Sequence, residues 1–478
     1  MKLRWYQEKI IQDARDELKR LSQVVTHRKP RIVVRMPAGS GKTLTAAAMA
    51  KGTIEKGGSV VFLAHRDFLV EQTSETFKRL GIDHSFLAAG KWLNPWSKCH
   101  VGMVQSMKSR IGRIKPPSVC FIDESHHTPS KTWNDIVDAW PGTTFIMLTA
   151  TPSFRLDGKG MDIVADSIVH GPEIRQLIDE GALSDYRYFS PTKLDTSKFH
   201  TKMKEYVTHE VDAEMSKRAI IGDIVESYKK YANSTLAVYL APTVDTSRRY
   251  AEAFNAAGIK AEHMDANTPS NERKQIAKRL STRETLVMCN VGLATEGYDL
   301  AAQAGADVTI ETVGLCRPTQ SFPLLVQMAM RAMRAKPYPG IILDHANCYN
   351  DHNWLPDDEV EWTIESKARD KKTQGIIHCK GCGAALKRGT EICVDCGTLT
   401  KASVGEFKER AGVSHIDGEL AEITRQAAEA ERQRLILDNK KDQGRARTLE
   451  ELVELGKKRG YKNPTGWARN IFNARRRS

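Results

Sequence analysis

The chain of 478 residues is too long for one hydrophobic core, so two large domains with smaller pieces are expected. Its 72 Lys and Arg against 59 Asp and Glu leave a formal charge of +13, which favours a polyanionic partner without requiring one. No apolar run approaches the roughly 18 residues of a membrane span, and MKLRWYQEKI at the start lacks a signal-peptide core, which argues against a membrane or secreted protein and leads to the expectation of a cytoplasmic one.

The first strand signal is Ile32-Val33-Val34, followed by MPAGSGKT at 36–43 and the helix-prone LTAAAMAKG. Glycines approach a ligand closely and take positive φ, so successive N–H groups at a helix N-terminus converge on an anion. Gly39, Ser40 and Gly41 would form that cradle, with the Lys42 ammonium and the Thr43 hydroxyl beside it. Met36 stands where the pattern G-x-x-x-x-G-K-[ST] has its first glycine, and a plain strand-to-helix turn is the alternative.

Apolar runs at 59–64, 118–123 and 143–150 alternate with helix-length segments, as in parallel βαβ units. The second of these ends in DESHH, putting Asp123 and Glu124 at the carboxyl end of a buried strand, where open α/β sheets bind ligands. Beside a nucleotide, one carboxylate could hold magnesium while the other positions or deprotonates water. His126 and His127 are adjacent and diverge, unlike metal-binding pairs three or four residues apart on a helix, so they are not read as ligands.

A second series of strands is expected at TLAVYLA from 235, ETLVMCN at 284–290, ADVTIET at 306–312 and GIILDH at 340–345. The polar, helix-prone segment 205–232 precedes it, so the domain boundary falls between 185 and 220. In QMAMRAMR at 327–334, Arg331 and Arg334 are three apart, would share one helix face and could reach across a cleft; a solvated basic helix is the alternative.

Cys99, Cys120, Cys289, Cys316 and Cys348 are scattered singly and are expected to be small buried hydrophobes. Cys379, Cys382, Cys393 and Cys396 form C-x2-C-x10-C-x2-C, with Gly381, Gly383 and Gly397 to permit sharp turns. Two thiolate knuckles match tetrahedral zinc, and four thiolates leave no open position, so the zinc would be structural; disulfides or free thiols are the alternative. Residues 418–441 read as one charged, solvated helix. The stretch 448–478 combines amphipathic helices with Tyr461, Trp467, Phe472 and many Lys and Arg, and would either grip nucleic acid or dock on the rest of the protein.

In order, GSGKT, DESH at 123–126 and LTATP at 148–152 resemble the superfamily 2 helicases of the DEAD/DEAH-box class, over roughly residues 2–350. The likeness is greatest to the DNA-directed branch of type III restriction motors and Ssl2-type repair helicases, where TATP is often followed by R-x-D-G, here Arg155, Asp157 and Gly158. A bacterial or phage source would fit. The resemblance implies α/β architecture with two tandem RecA-like P-loop domains, use of ATP and Mg2+, and action on DNA, with RNA as the nearest alternative.

Carried over position by position, LRWYQ at 3–7 is similar to the adenine-reading motif, in which Gln7 bonds the base with Tyr6 beside it. Lys42 and Thr43 would hold phosphate and magnesium, Asp123 the magnesium and Glu124 the water. LAHRDFLVEQ at 63–72, with Arg66 and Gln72, and VQSM at 104–107, with Gln105 and Ser106, resemble elements that touch the nucleic-acid backbone. His126, Thr149, Thr151 and Gln327 would couple the nucleotide to the nucleic-acid site. NVGLATEGYDL at 290–300 is similar to the fifth motif, with Gly297 near the γ-phosphate and Asp299 near the ribose, although Ala301 replaces a frequent proline. Residues 327–334 resemble Q-x-x-G-R-x-x-R with Met330 for the glycine, so Arg331 and Arg334 would stabilise the transition state on closure. Asp265 and Arg273 are candidate second-domain interface residues.

The expected layout is a RecA-like ATP-binding domain at 1–190, a second RecA-like domain at 191–365, a zinc ribbon at 374–400, a charged helical arm at 401–445 and a basic helical tail at 446–478. An ATP-dependent DNA helicase or translocase is expected; an RNA helicase or an ATP-switched nucleic-acid-binding adaptor is the alternative. No nuclease motif is present, which argues against a self-contained restriction enzyme.

Overall fold

Strands buried on both faces read as continuous apolar runs, and such runs organise the N-terminal part of the chain. The computed structural model describes residues 3–129, 131–191, 196, 199–292, 300–306, 308–365, 376–378, 385–387, 420–423, 446, 448–458, 465–466, 468–469 and 472. The strands β1 (Arg31–Arg35), β2 (Val60–Ala64), β3 (Ser85–Leu87), β4 (Cys99–Met103), β5 (Val119–Ile122), β6 (Thr144–Thr149) and β7 (Ser167–His170) form one sheet in the order β3-β4-β2-β5-β6-β1-β7. Every pairing is parallel, with Val33 opposite Met147 and Ile168. The carboxyl ends of β1, β5 and β6 therefore lie at one edge, where the loops 36–41, 123–128 and 150–154 emerge.

Helix α1 (Trp5–Val24) buries Tyr6, Ile10, Ile11, Ala14 and Leu21 at helical spacing and packs on β1 and β7. Helix α2 (Lys42–Glu55) follows the glycine-rich loop and α3 (Asp67–Arg79) follows β2. One core lies between sheet and helices, where Val33, Leu63, Ile122 and Met147 meet Trp133, Ile136 and Trp140.

The chain divides into two compact units. The first comprises Met1–Tyr186, Phe199–Leu343 and Pro356–Arg369. Besides the sheet above it contains a small antiparallel pair and a second series of strands. After β8 (Tyr186–Pro191) come the paired β9 (Thr201–Lys202) and β10 (Glu205–Tyr206). Then β11 (Ala237–Leu240), β12 (Ala261–Met264), β13 (Val287–Asn290), β14 (Thr312–Leu315) and β15 (Gly340–Asp344) follow in the order β12-β13-β11-β14-β15, parallel where β11, β12, β13 and β14 meet. An aromatic cluster ties the two series together: Phe154, Phe322 and Trp362 lie with centroids 5.5–5.8 Å apart, and the Arg35 guanidinium lies 5.6 Å from the Trp362 ring.

The second unit comprises Arg187–Lys198, Asp344–Leu355 and Asp370–Ser478. At its centre the buried Asp344 carboxylate accepts hydrogen bonds from the Tyr188 and Ser190 hydroxyls and from the backbone N–H groups of Ala346, Cys348 and Tyr349. The strands β16 (Ile376–His378) and β17 (Ala385–Lys387) pair antiparallel, and β18 (Leu420–Ile423) pairs antiparallel with β8, Leu420 opposite Pro191. A helix at Leu449–Lys458 starts in a capping box, in which Glu451 N–H donates to the Thr448 hydroxyl and Thr448 N–H to the Glu451 carboxylate. Leu452 and Ala468 share a small apolar cluster with Phe472.

Three expectations are corrected. The strand expected at 306–312 lies at Thr312–Leu315 instead, because Val308 and Ile310 bury themselves before the sheet begins. The charged helix expected across 418–441 gives way at Leu420–Ile423 to a strand, since β8 offers unpaired backbone groups that a short extended segment satisfies. Arg331 and Arg334 do not share an α-helical face: the helix Phe322–Ala329 tightens into a 3-10 turn at Met330–Met333, and Arg334 is extended. The five single cysteines are buried, as expected. Among the described residues no helix is long and apolar enough to cross a membrane. Gly297, Asp299 and the four clustered cysteines lie outside the described residues, as do residues 401–419, 424–445 and Trp467.

Candidate active site

The loop after β1 is shaped by two glycines in the left-handed region, Gly39 at φ +82° and Gly41 at φ +85°, where a side chain would be strained. Its start is fixed by the Met36 N–H donating to the Thr149 carbonyl at 3.0 Å, and its turn by the Ser40 hydroxyl donating to the Pro37 carbonyl at 2.7 Å. Helix α2 begins at Lys42, so its first N–H groups, which have no partner within a helix, face the carboxyl edge of the sheet. Met36, at the place of the pattern's first glycine, is fully buried.

Gly39, Gly41, Lys42 and Thr43 line a cavity of about 430 Å3, while Ser40 is buried and does not line it. Gly39, Gly41, Lys42, Thr43, Asp123 and Glu124 come from the first sheet; Gln327, Met330, Arg331 and Arg334 come from the segment before β15. Lys42 Nζ stands 3.8 Å from Glu124 Oε1. Glu124 has φ 47° and ψ 47°, a left-handed conformation that costs about 1–3 kcal/mol for such a residue and is held by its surroundings. Its Oε2 lies 3.4 Å from His126 Nδ1, which is 3.3 Å from the Thr149 hydroxyl, which in turn accepts from the Thr151 N–H at 3.1 Å. The Arg155 guanidinium donates to the His126 carbonyl and forks onto Asp157 at 2.9 and 2.6 Å.

The two carboxyls titrate apart. Burial pushes Asp123 up, and the neighbouring Glu124 charge adds to this against the pull of Lys42. Burial would raise Glu124 as well, but the Lys42 ammonium and His126 hold it below the usual carboxylate range. The Asp123 carboxylate and the Thr43 hydroxyl are hard oxygen donors on one cavity wall, and a divalent cation would stabilise the charge that burial disfavours on Asp123; the residues fit magnesium.

Sequence-predicted residues fall into groups. Gln7 does not line the cavity; its amide donates to the Ser40 and Gly41 carbonyls at 3.3 and 3.5 Å while Tyr6 donates to the Ser40 carbonyl at 3.0 Å, so both brace the loop from behind. Gln72 lines the cavity with Leu69, Thr76 and Arg79, one face of α3 whose helical spacing could have revealed it. Arg66 caps α3, and the Gln105 amide donates to the His65 carbonyl at 3.4 Å, which brings the residues following the adjacent β2 and β4 together with Ser106 nearby in sequence. Asp265 closes a turn, accepting from the Asn267 and Thr268 N–H groups at 2.8 and 2.9 Å, and neither it nor Arg273 lines the cavity.

One functional segment was not anticipated. Residues 183–185, just before β8, clasp the arginine-bearing turn: the Ser184 N–H donates to the Met333 carbonyl at 3.0 Å, Leu183 and Arg334 form an antiparallel bridge, and Lys336 Nζ donates to the Ser184 hydroxyl at 2.9 Å. A Cβ on Gly39 would come within 2.9 Å of a Leu183 methyl. The same linker thus touches the glycine-rich loop and holds the arginine turn.

A parallel sheet with a glycine-rich loop, an acid pair after the next strand but one and two arginines across one cavity defines a RecA-like P-loop protein. Comparison narrows the class. Residues 1–154 match the family described as type III restriction enzyme, res subunit. A 51.5 kDa protein of a Lactococcus phage is 32% identical over 371 residues, covering 76% of this chain and 77% of that one. The candidate ATP-dependent helicase IRC3 of Saccharomyces cerevisiae is 27% identical over 326 residues, 64% of this chain but 46% of its own length. Among solved structures, the DNA-bound Type ISP restriction-modification enzyme LlaBIII gives a TM-score of 0.52 at 15% identity over 72% of this chain and 28% of that chain. The DNA-bound DUF1998 helicase MrfA gives 0.50 at 14% identity over 72% and 48%; at such identities both speak to the fold alone. The chain belongs to one family with the Lactococcus phage protein, and its likeness to the res subunit and to IRC3 supports a helicase of superfamily 2.

Proposed function

We propose that the protein is an ATP- and Mg2+-dependent DNA helicase or translocase. The observation that carries this reading is the single cavity that gathers Lys42, Thr43, Asp123 and Glu124 from one sheet and Gln327, Arg331 and Arg334 from the other series of strands. The loop N–H groups and Lys42 would bind the phosphates, and Thr43 and Asp123 would hold magnesium, whose charge would offset that of the phosphates. Glu124, kept ionised by Lys42 and His126, orients the attacking water and accepts its proton. Arg331 and Arg334 offset charge in the transition state when the two parts close, so hydrolysis is tied to domain motion. Gly297 and Asp299 would complete the nucleotide contacts, Gln7 would read the base, and Arg66, Gln72, Gln105 and Ser106 would serve the nucleic acid. His126, Thr149 and Thr151 supply a hydrogen-bonded path out of the site.

The Arg155–Asp157 fork and the res-subunit match favour the DNA-directed branch over an RNA helicase. The domain layout expected from the sequence, including the arm and the basic tail, belongs to the same reading, as does a bacterial or phage-infected cell. A structural zinc at Cys379, Cys382, Cys393 and Cys396 is supported by the spacing and by β16 and β17, which bracket the first C-x2-C pair as a hairpin. The test is the ATP hydrolysis rate with single-stranded DNA, duplex, forks and RNA side by side. Continuous turnover stimulated most by a DNA is expected; stimulation by RNA alone favours the RNA helicase, single slow turnover favours the switched adaptor, and no hydrolysis with any of them overturns the reading.

A further inference from the structure

Trp92 and Trp96 are among the largest apolar side chains in the chain, yet they remain 78% and 81% exposed. Burying either would contribute a few kcal/mol, so their exposure needs a cause. Both lie on the loop 88–98 between β3 and β4, and the loop is pinned. Leu93, between them, packs on the first-sheet core. The Asn94 N–H donates to the Ser85 hydroxyl at 2.7 Å, its carbonyl lies 2.9 Å from His100 Nε2, and its side-chain oxygen accepts from the Trp96 N–H at 3.1 Å. The backbone thereby holds both indoles outward.

The loop itself and the segment that follows β4 have one sign of charge. The loop AAGKWLNPWSK and the segment 104–117 that follows β4 carry Lys91, Lys98, Lys108, Arg110, Arg113 and Lys115 and not one Asp or Glu. Lys98 and Lys115 are exposed, and Lys115 Nζ stands 5.8 Å from the Trp96 ring centroid. Lys91 is committed elsewhere, to Glu71 at 3.4 Å and to the face of Phe86. A partner for this patch must offer flat π faces and repeated negative charge together. Unpaired nucleotides do so, whereas duplex DNA hides its base faces in the stack.

We propose that Trp92 and Trp96 form a stacking platform for single-stranded nucleic acid, with Lys98 and Lys115 meeting the flanking phosphates. The proposal rests on the reading of the protein as a nucleic-acid motor and adds a grip on an unpaired strand. It makes the protein favour substrates with an unpaired strand, such as forks and gaps, over blunt duplex.

The experiment uses the full chain and measures binding of fluorescein-labelled oligo(dT) and of a blunt duplex by anisotropy, for the wild type, Trp92→Ala, Trp96→Ala, the double variant and Trp96→Phe. Stacking is worth about 1–3 kcal/mol per base, so each alanine should weaken oligo(dT) binding by about 5-fold or more while duplex binding holds, and Trp96→Phe should restore most of the loss. Lys115→Ala should lower the salt slope on oligo(dT) by about 0.7. Unchanged oligo(dT) affinity in the double variant overturns the platform, and so does an equal loss on both ligands. Stimulation of ATP turnover by DNA in the same wild-type preparation reports separately on the motor: if it is present while the double variant binds oligo(dT) normally, the platform alone fails.

Discussion

At the scale of single residues, the acid pair shows how position alone gives two carboxyls different chemistry. Asp123 stays fixed to the Glu124 N–H at 3.0 Å, while Glu124 is turned by its left-handed backbone toward Lys42. Replacing Lys42 with Ala should weaken nucleotide binding, and Glu124→Gln should keep binding but stop hydrolysis; binding of a fluorescent ATP analogue and single-turnover rates separate the two. Arg334→Ala should lower kcat on the order of 10³-fold with nearly unchanged nucleotide affinity, because a finger acts chiefly in the transition state. A change confined to affinity would make Arg334 a ground-state contact. Most cavity residues were legible because glycine-rich loops, acid pairs and paired arginines each stand together in the chain. Leu69, Thr76 and Arg79 were not, since a helix face assembles its residues at intervals of three and four among residues facing elsewhere, and Gln72 was singled out for the nucleic acid but lines the cavity.

At the scale of elements, most strands with apolar runs were legible, although β7, with Ile168 and Val169, was not expected. Strand β14 was displaced in the reading because it contains Gly314, a weak strand former. The reason for that glycine is spatial: a Cβ there would fall 2.1 Å from the buried Tyr239 ring. Gly314→Ala should therefore destabilise the protein by about 1–3 kcal/mol, read as a lower Tm, unless Tyr239 is shortened in the same chain. Gly102 hid β4 in the same way, packed against Leu87. Just before β7, burial works against the charge of Asp166, but the forked Arg28 at 2.9 and 2.6 Å and the Arg31 N–H hold its pKa below the usual value. Its contribution to stability is then complete above about pH 4 and lost as pH falls through the lowered value. Asp166→Asn should lower stability near neutrality and flatten the acid side of the stability profile, as measured by urea unfolding across a pH series.

At the scale of the whole molecule, the C-terminal part was the least legible. Its composition announced zinc and charge, yet β18 is a strand recruited by β8 some 230 residues earlier, a pairing that no local pattern encodes. The zinc reading predicts one tightly bound zinc per chain by elemental analysis of protein purified without chelator. Cys393→Ser should lower that occupancy and leave the thermal transition of the nucleotide-binding core in place, since the core at Val33, Leu63 and Ile122 is built without the ribbon.

The strand order of the first sheet also bears on how the protein is made. β1 leaves the ribosome before every other strand, yet its two neighbours are β6 and β7, the last of that sheet to be synthesised. β2, β4 and β5 can pair with one another while β1 waits. At typical elongation rates the wait is on the order of ten seconds, with Ile32, Val33 and Val34 exposed and open to chaperones. The glycine-rich loop is anchored to the Thr149 carbonyl and touched by Leu183, so it takes shape only when residue 183 has emerged. A nascent chain cannot capture nucleotide before then, and a message truncated short of β7 yields a product that has the phosphate-binding residues but lacks the frame that makes them a site.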